Sequence, residues 1–325
     1  MRRLVPVLLA ALWASAATIV ATFPAYDVVL REAFPNATVV LLAKGAGDPH
    51  DYQLTPEDLT FLKNLGPNDV IIDTMHAAFE LKIAELAKAG EIKAKIIDVT
   101  KFQKYLTYDN EEVNIRDHEV HEHHEDHEHE RVNMHEHGVY PPNVRLLVEK
   151  VAEATGLKPS GKFLARLETL ERGKKFSGKA VAITPMAQYL LYWLGYRDIV
   201  VLIKEPGVPP TPEDLNKAIE YIKAGAPAVA AVARGERLRI VDQFIEKARA
   251  AGVEPKVVSV VFDRQYLDTL ENLTRELAAA ETHTPAQVPT PAAAATEAGV
   301  WQLALAVAIV VVAIVATLLF LKRRK

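Results

Sequence analysis

The chain has 325 residues, half of them apolar, and a formal net charge of −4. That length suits about two domains, and mild acidity without a basic, aromatic-studded patch argues against nucleic acid as a partner. With no cysteine, disulfides, thiolate metal sites and cysteine nucleophiles are excluded, so any metal site must use His nitrogen and carboxylate oxygen.

In chain order, residues 1–16 read as a secretory signal peptide. Arg2 and Arg3 precede an apolar run, Leu4 to Trp13, and then small residues. The body follows. Its first half offers strand candidates at Ala17–Phe23, Ala37–Ala43, Asp69–Thr74 and Ala94–Thr100, with helical patterns near 25–33, 55–65 and 77–89. Residues 117–137 are His-rich: eight of the eleven histidines lie in HEVHEHHEDHEHERVNMHEH, residues 118–137. His118 to His129 has no apolar periodicity and reads as a mobile, solvated loop that collects metal weakly. His135 and His137 abut the segment where order is expected to resume. Residues 141–176 look mostly helical, with a Gly156–Leu157–Lys158–Pro159 break.

The second half repeats the pattern. Strand candidates fall at Ala180–Thr184, Asp198–Ile203, Ala228–Ala233 and Lys256–Phe262, each followed by a helical segment. Strand–helix alternation predicts parallel sheets covered by helices. The expected architecture is therefore α/β: two doubly wound lobes, 17–140 and 177–280, joined by a long interlobe helix over 141–176. Residues 281–300, rich in Pro, Thr and Ala, read as a linker. Residues 301–325 read as a transmembrane anchor, because Leu303 to Leu321 carries no charge and about 19 residues at ~1.5 Å rise span roughly 28 Å. The terminal Lys-Arg-Arg-Lys then lies in the cytoplasm and the body outside the cell membrane.

The two halves share a tetrapeptide: Thr55-Pro56-Glu57-Asp58 and Thr211-Pro212-Glu213-Asp214. Each combines a Thr N-cap, a proline at the first helical position and an acid at the third. In open α/β sheets ligands bind outside the carboxyl ends of strands. The preceding loops, AKGAGDPHDYQL with His50 and KEPGVPP with Glu205, are expected at equivalent places facing each other across a cleft. His76 follows the third strand on the same rim as His50. Asp263 ends the last strand. Taken singly, each fits a plain role, a surface histidine, a helix start or an N-cap. Together His50, His76, His137 (or His135) and Asp263 offer three imidazoles and a carboxylate, a set suited to Zn²⁺ and acceptable to Mn²⁺.

The segments GAGDPHDYQLTPEDL, ATIVATFPAYDVV, EPGVPPTPEDLNKAIEYIK and VVFDRQYLDTLENLTREL resemble the cluster A-I solute-binding proteins, the zinc/manganese receptors of ABC importers. The likeness runs over roughly residues 17–280, and its first segment is the most specific. It implies two α/β lobes joined by one rigid helix, with metal in the cleft between them. It also implies a receptor that is no enzyme and an ABC transporter permease as partner; the body is expected to be extracellular and monomeric. By the resemblance, His50 matches the first ligand, His137 or else His135 the second, and Asp263 the fourth. The third position, normally His or Glu, holds Thr184-Pro185-Met186 here. His76, a histidine of the His-rich loop, or Glu205 is the replacement to look for. Two other readings stand beside this one. In the first, a surface metal buffer binds mainly through the His-rich loop. In the second, a zinc-dependent hydrolase would need an open coordination position and a general base; no helical His-Glu-x-x-His or nucleophile elbow is present to supply them.

Overall fold

The computed structural model describes residues 17–45, 49–115, 132–135, 137–173, 175–205, 208–233, 239–263 and 265–282. The expected signal peptide and anchor lie outside these residues, as do His118 to His129 and the expected linker from residue 283 on; residues 281 and 282 are helical. Among the described residues no helix is long and apolar enough to cross a membrane.

The first lobe runs β1 (Thr18–Ala21), α1 (Pro24–Ala33), β2 (Thr38–Leu41), α2 (Pro56–Asn64), β3 (Val70–Asp73), α3 (Ala78–Lys88) and β4 (Lys95–Asp98). All pairings are parallel, in the order β2-β1-β3-β4. The strands are short Val/Ile runs. β3 is buried at every position, as a strand covered on both faces must be. The helix starts follow from local chemistry. Pro24 opens α1, and Thr55 and Asp58 form a reciprocal capping box at α2.

A small antiparallel sheet follows: β5 (Tyr105–Thr107), β6 (Glu112–Val113) and β7 (Val132–Asn133), with β5 in the middle. The chain therefore enters its His-rich stretch from β6 and returns through β7, on the other side of β5. The described chain takes up again at Val132, so His135 and its neighbours follow a strand. Strands of two or three residues carry no readable period, which is why this sheet was not expected.

Next come α4 (Pro141–Thr155) and α5 (Gly161–Glu171). The single long interlobe helix expected over 141–176 is thus two helices. Gly156 caps α4 in the left-handed conformation, φ 73°, where glycine carries no Cβ penalty. Pro159 follows, and Ser160 restarts the chain as N-cap of α5. The Ser160 N–H is donated to the Ala33 carbonyl at 2.8 Å, fixing the break against α1.

The second lobe runs β8 (Lys179–Ala182), α6 (Pro185–Leu194), β9 (Asp198–Val201), α7 (Pro212–Lys223), β10 (Ala228–Ala233), α8 (Arg239–Ala250), β11 (Val257–Phe262) and α9 (Tyr266–Thr282). Its parallel sheet, β9-β8-β10-β11, has the strand order of the first. The two-lobe α/β reading holds, and each expected strand overlaps an observed one. α9 turns back to the first lobe: the Leu267 N–H is donated to Glu32 Oε2 at 3.1 Å and the Tyr266 hydroxyl to the Val139 carbonyl at 2.8 Å.

The small sheet bridges the lobes. Asn133 Nδ2 donates to the Pro185 carbonyl and to Gln188 Oε1, each at 2.9 Å. Gln188 Nε2 donates to the Thr107 carbonyl at 2.8 Å and to Asn110 Oδ1 at 3.0 Å. The Tyr108 hydroxyl donates to the Lys204 carbonyl at 2.5 Å. Asn133 and Gln188 are fully buried, so these polar groups stand paired where an unpaired one would be costly.

Candidate metal site

Three loops converge at the carboxyl ends of the first sheet. His50 sits in a short 3-10 turn, Pro49–Asp51, in the loop between β2 and α2. His76 follows β3, and His135 follows β7. One ring nitrogen of each lies within 4.8 Å of the others. Their ring centroids are 5.1 to 5.5 Å apart and meet edge to face. The strand order reverses between β1 and β3, the place where open α/β sheets bind ligands, and Phe23 at the end of β1 packs 5.2 Å from the His50 ring. Phe23, Tyr26, Thr74 and Met134 line the same cavity as the histidines.

His76 is aimed by the turn before it. Met75 adopts φ 54°, unusual for a residue with a side chain, and its N–H is donated to Asp73 Oδ1 at 2.7 Å. Below the turn lies Glu80, with no solvent exposure. Its carboxylate accepts the N–H groups of Thr74, His76 and Ala77 at 2.9, 3.2 and 3.1 Å, and the hydroxyls of Thr22 and Thr74. Burial and the nearby Glu80 push the Asp73 carboxyl up. Burial, with His135 and His50 next to it, holds the His76 imidazole below its ordinary range, which keeps its lone pair free at neutral pH.

His137 lines the cavity but is not in the group of converging ligand atoms. Its Nδ1 is 3.0 Å from the Met134 carbonyl, which can only accept, so Nδ1 carries the proton. Its Nε2 lies 3.0 Å from the Tyr26 hydroxyl. Burial pushes its pKa down to about 3. Of the two candidates left open by the sequence, His135 joins His50 and His76, and His137 supports the wall behind them.

Asp263 is exposed and lies outside the group of converging ligand atoms. Thr184, at the third position of the family pattern, is spent on structure: its hydroxyl donates to the Ala231 carbonyl at 2.6 Å and accepts the Ala231 N–H at 3.0 Å. Met186 is buried. Among the described residues of the second lobe, Glu205 touches one member of the trio: its Oε2 is 2.8 Å from His135 Nε2, while it lies outside the group of converging ligand atoms. Glu80 and Tyr26 were not singled out from the sequence. The signal for Glu80 was an acid three residues after the helix start, a capping pattern.

The chain thus has two α/β lobes with a histidine cluster at the carboxyl rim of the first sheet. The chain belongs to the family of the zinc-uptake complex component A periplasmic proteins, ZnuA, whose model matches residues 19–280. This is the zinc/manganese-binding solute-binding protein family of ABC importers. Its members are periplasmic or extracellular and are not enzymes. The fold is similar to that of a Zn(II)-bound mutant variant of AdcAII of Streptococcus pneumoniae, at 14% identity and TM-score 0.55 over 82% of this chain and 98% of that one. It is also similar to a ZnuA crystal structure, at 17% identity and TM-score 0.55 over 82% and 99%. FpvC from Pseudomonas aeruginosa, solved with Mn²⁺, matches at 15% identity and TM-score 0.52 over 82% and 98%. A comparison with curated protein sequences finds no match.

Proposed function

We propose that this protein captures Zn²⁺ in the cleft through His50, His76 and His135 and delivers it to an ABC permease. The observation that carries this reading is the convergence of three imidazole nitrogens within 4.8 Å at the switch point of the first sheet. An imidazole-dominated set favours zinc over manganese, which prefers oxygen ligands. The signal pattern at residues 1–16 and the apolar run Leu303–Leu321 support a body held outside the cell by a single-pass anchor. The His-rich stretch then gathers metal beside the cleft, its exit strand β7 leading directly into His135.

Calorimetric titration of a variant lacking residues 117–130 tests this. One submicromolar Zn²⁺ site survives the deletion. If deletion removes all tight binding, the protein is a surface buffer acting through its histidine run, and the cleft reading fails.

A further inference from the structure

The three imidazoles come from the first lobe and from the segment after β7. A receptor that traps its cargo between lobes needs a group from the second lobe as well. Glu205 occupies the matching position. It lies in the loop after β9, the second strand of its sheet, as His50 lies in the loop after β2. Each loop runs into the same Thr-Pro-Glu-Asp helix start, with His50 five residues before Thr55 and Glu205 six before Thr211. The repeated halves therefore aim equivalent loops at one point. Contacts on both sides of Glu205 hold its loop there. The Lys204 carbonyl accepts from Tyr108 of the bridging sheet, Lys204 Nζ pairs with Asp214 at 2.9 Å, and the Glu205 carbonyl accepts the Val208 N–H at 3.1 Å.

We propose that Glu205 is the second-lobe ligand of the bound cation, completing a three-histidine, one-carboxylate set in place of the Asp263 position. This rests on the reading of His50, His76 and His135 as a metal site. Glu205 Oε2 and His135 Nε2 are joined by one hydrogen bond, 2.8 Å long. A tetrahedral cation with both atoms at about 2.0–2.1 Å needs them roughly 3.3 Å apart. This pair must open by about half an ångström, and because Glu205 starts outside the group of converging ligand atoms, its carboxylate, 56% exposed, must also swing toward His50 and His76. The proton of the pair moves to Nδ1 of His135 or to solvent, and the cation takes its place. The metal then ties one lobe to the other. Among the rival second-lobe positions, Thr184 is committed to the Ala231 backbone, Met186 offers no nitrogen or oxygen, and Asp263, outside the group of converging ligand atoms as Glu205 is, lacks Glu205's hydrogen bond to His135.

The test is titration of the full-length protein in detergent with Zn²⁺, in a background where a short linker replaces residues 117–130. Glu205→Gln lowers affinity about 10- to 100-fold, the loss typical when a group supporting a metal site is removed. Asp263→Asn changes it less than about twofold. Zinc-edge anomalous maps of the unsubstituted protein place a Glu205 oxygen within about 2.2 Å of the metal. Unchanged affinity in Glu205→Gln, or a loss carried by Asp263→Asn, overturns the assignment. So does a metal more than about 3 Å from Glu205, which would make it an orienting partner of His135. The double variant His50→Ala, His76→Ala separates the two readings. If it keeps tight binding, the metal-site reading fails. If it loses binding while Glu205→Gln does not, only the role of Glu205 fails.

Discussion

The buried carboxylate of Glu80 on α3 accepts the backbone N–H of His76 at 3.2 Å, so a residue that never faces the cleft sets the position of a residue that does. Five donors converge on this one carboxylate. Glu80→Gln replaces an acceptor oxygen by an NH₂ group facing donors. The expected cost is about 2–3 kcal/mol in urea denaturation of the metal-free protein. Zn²⁺ affinity falls with it as the His76 turn loosens. A neutral effect on both would show that the turn holds itself.

Tyr26 and Gly138 are fitted to each other. A Cβ added at Gly138 would lie 2.7 Å from Tyr26 Cε1 and 2.9 Å from Cζ, closer than carbon atoms approach, and the ring is rigid. Gly138→Ala should cost about 1–3 kcal/mol, the usual range for overpacking. It should also push Tyr26 off His137. Denaturation curves measure the first effect and a crystal structure the second.

Tyr189 ties the second lobe to the bridging sheet. Its hydroxyl accepts the Leu106 N–H at 3.3 Å and donates to the Asn133 carbonyl, two residues before His135. Tyr189→Phe removes both bonds in a buried place. The expected loss is about 1–3 kcal/mol, read by denaturant titration, with a weaker Zn²⁺ site because β7 carries His135.

Acid should destabilise the metal-free protein through His137. Its folded pKa, about 3, lies below the ordinary value near 6.5, so the unfolded chain takes up a proton first as the pH falls. The stabilising contribution is present above about pH 6.5 and is lost as the pH drops toward 3. By pH 5 the loss is about 2 kcal/mol. His137→Gln should therefore lose about 2 kcal/mol less than the unsubstituted protein between pH 7 and pH 5, measured in the presence of a chelator. His76 shifts in the same direction and contributes equally to both proteins.

The lobes were legible because both sheets are parallel and buried. Runs such as Val70-Ile71-Ile72 and Ala228 to Ala233 can hardly be anything but covered strands, and Thr-Pro-Glu-Asp marks a helix start by its own chemistry. His50 and His76 could be placed on one rim because strand ends fix the rim. The choice between His135 and His137 could not be made. They are two residues apart in an irregular segment, and the decision falls to Tyr26 and Met134, which bind the His137 ring through contacts with no sequence pattern. In the sequence Glu205 is one of several replacements open for the third ligand position, set in a proline-rich loop. The repeat of the Thr-Pro-Glu-Asp start was its clue, and its meaning needed the matching strand orders. The break at Gly156 was readable, but the resemblance favoured a continuous helix. Ser160 on the Ala33 carbonyl shows that the break is part of how α5 docks.

In the proposed site His50, His76 and His135 together hold the cargo. Zinc-edge anomalous diffraction from crystals of the Zn²⁺-loaded protein tests it most directly. One strong peak is expected at about 2.0–2.1 Å from a ring nitrogen of each of the three histidines. Bound zinc with no peak among them would contradict it.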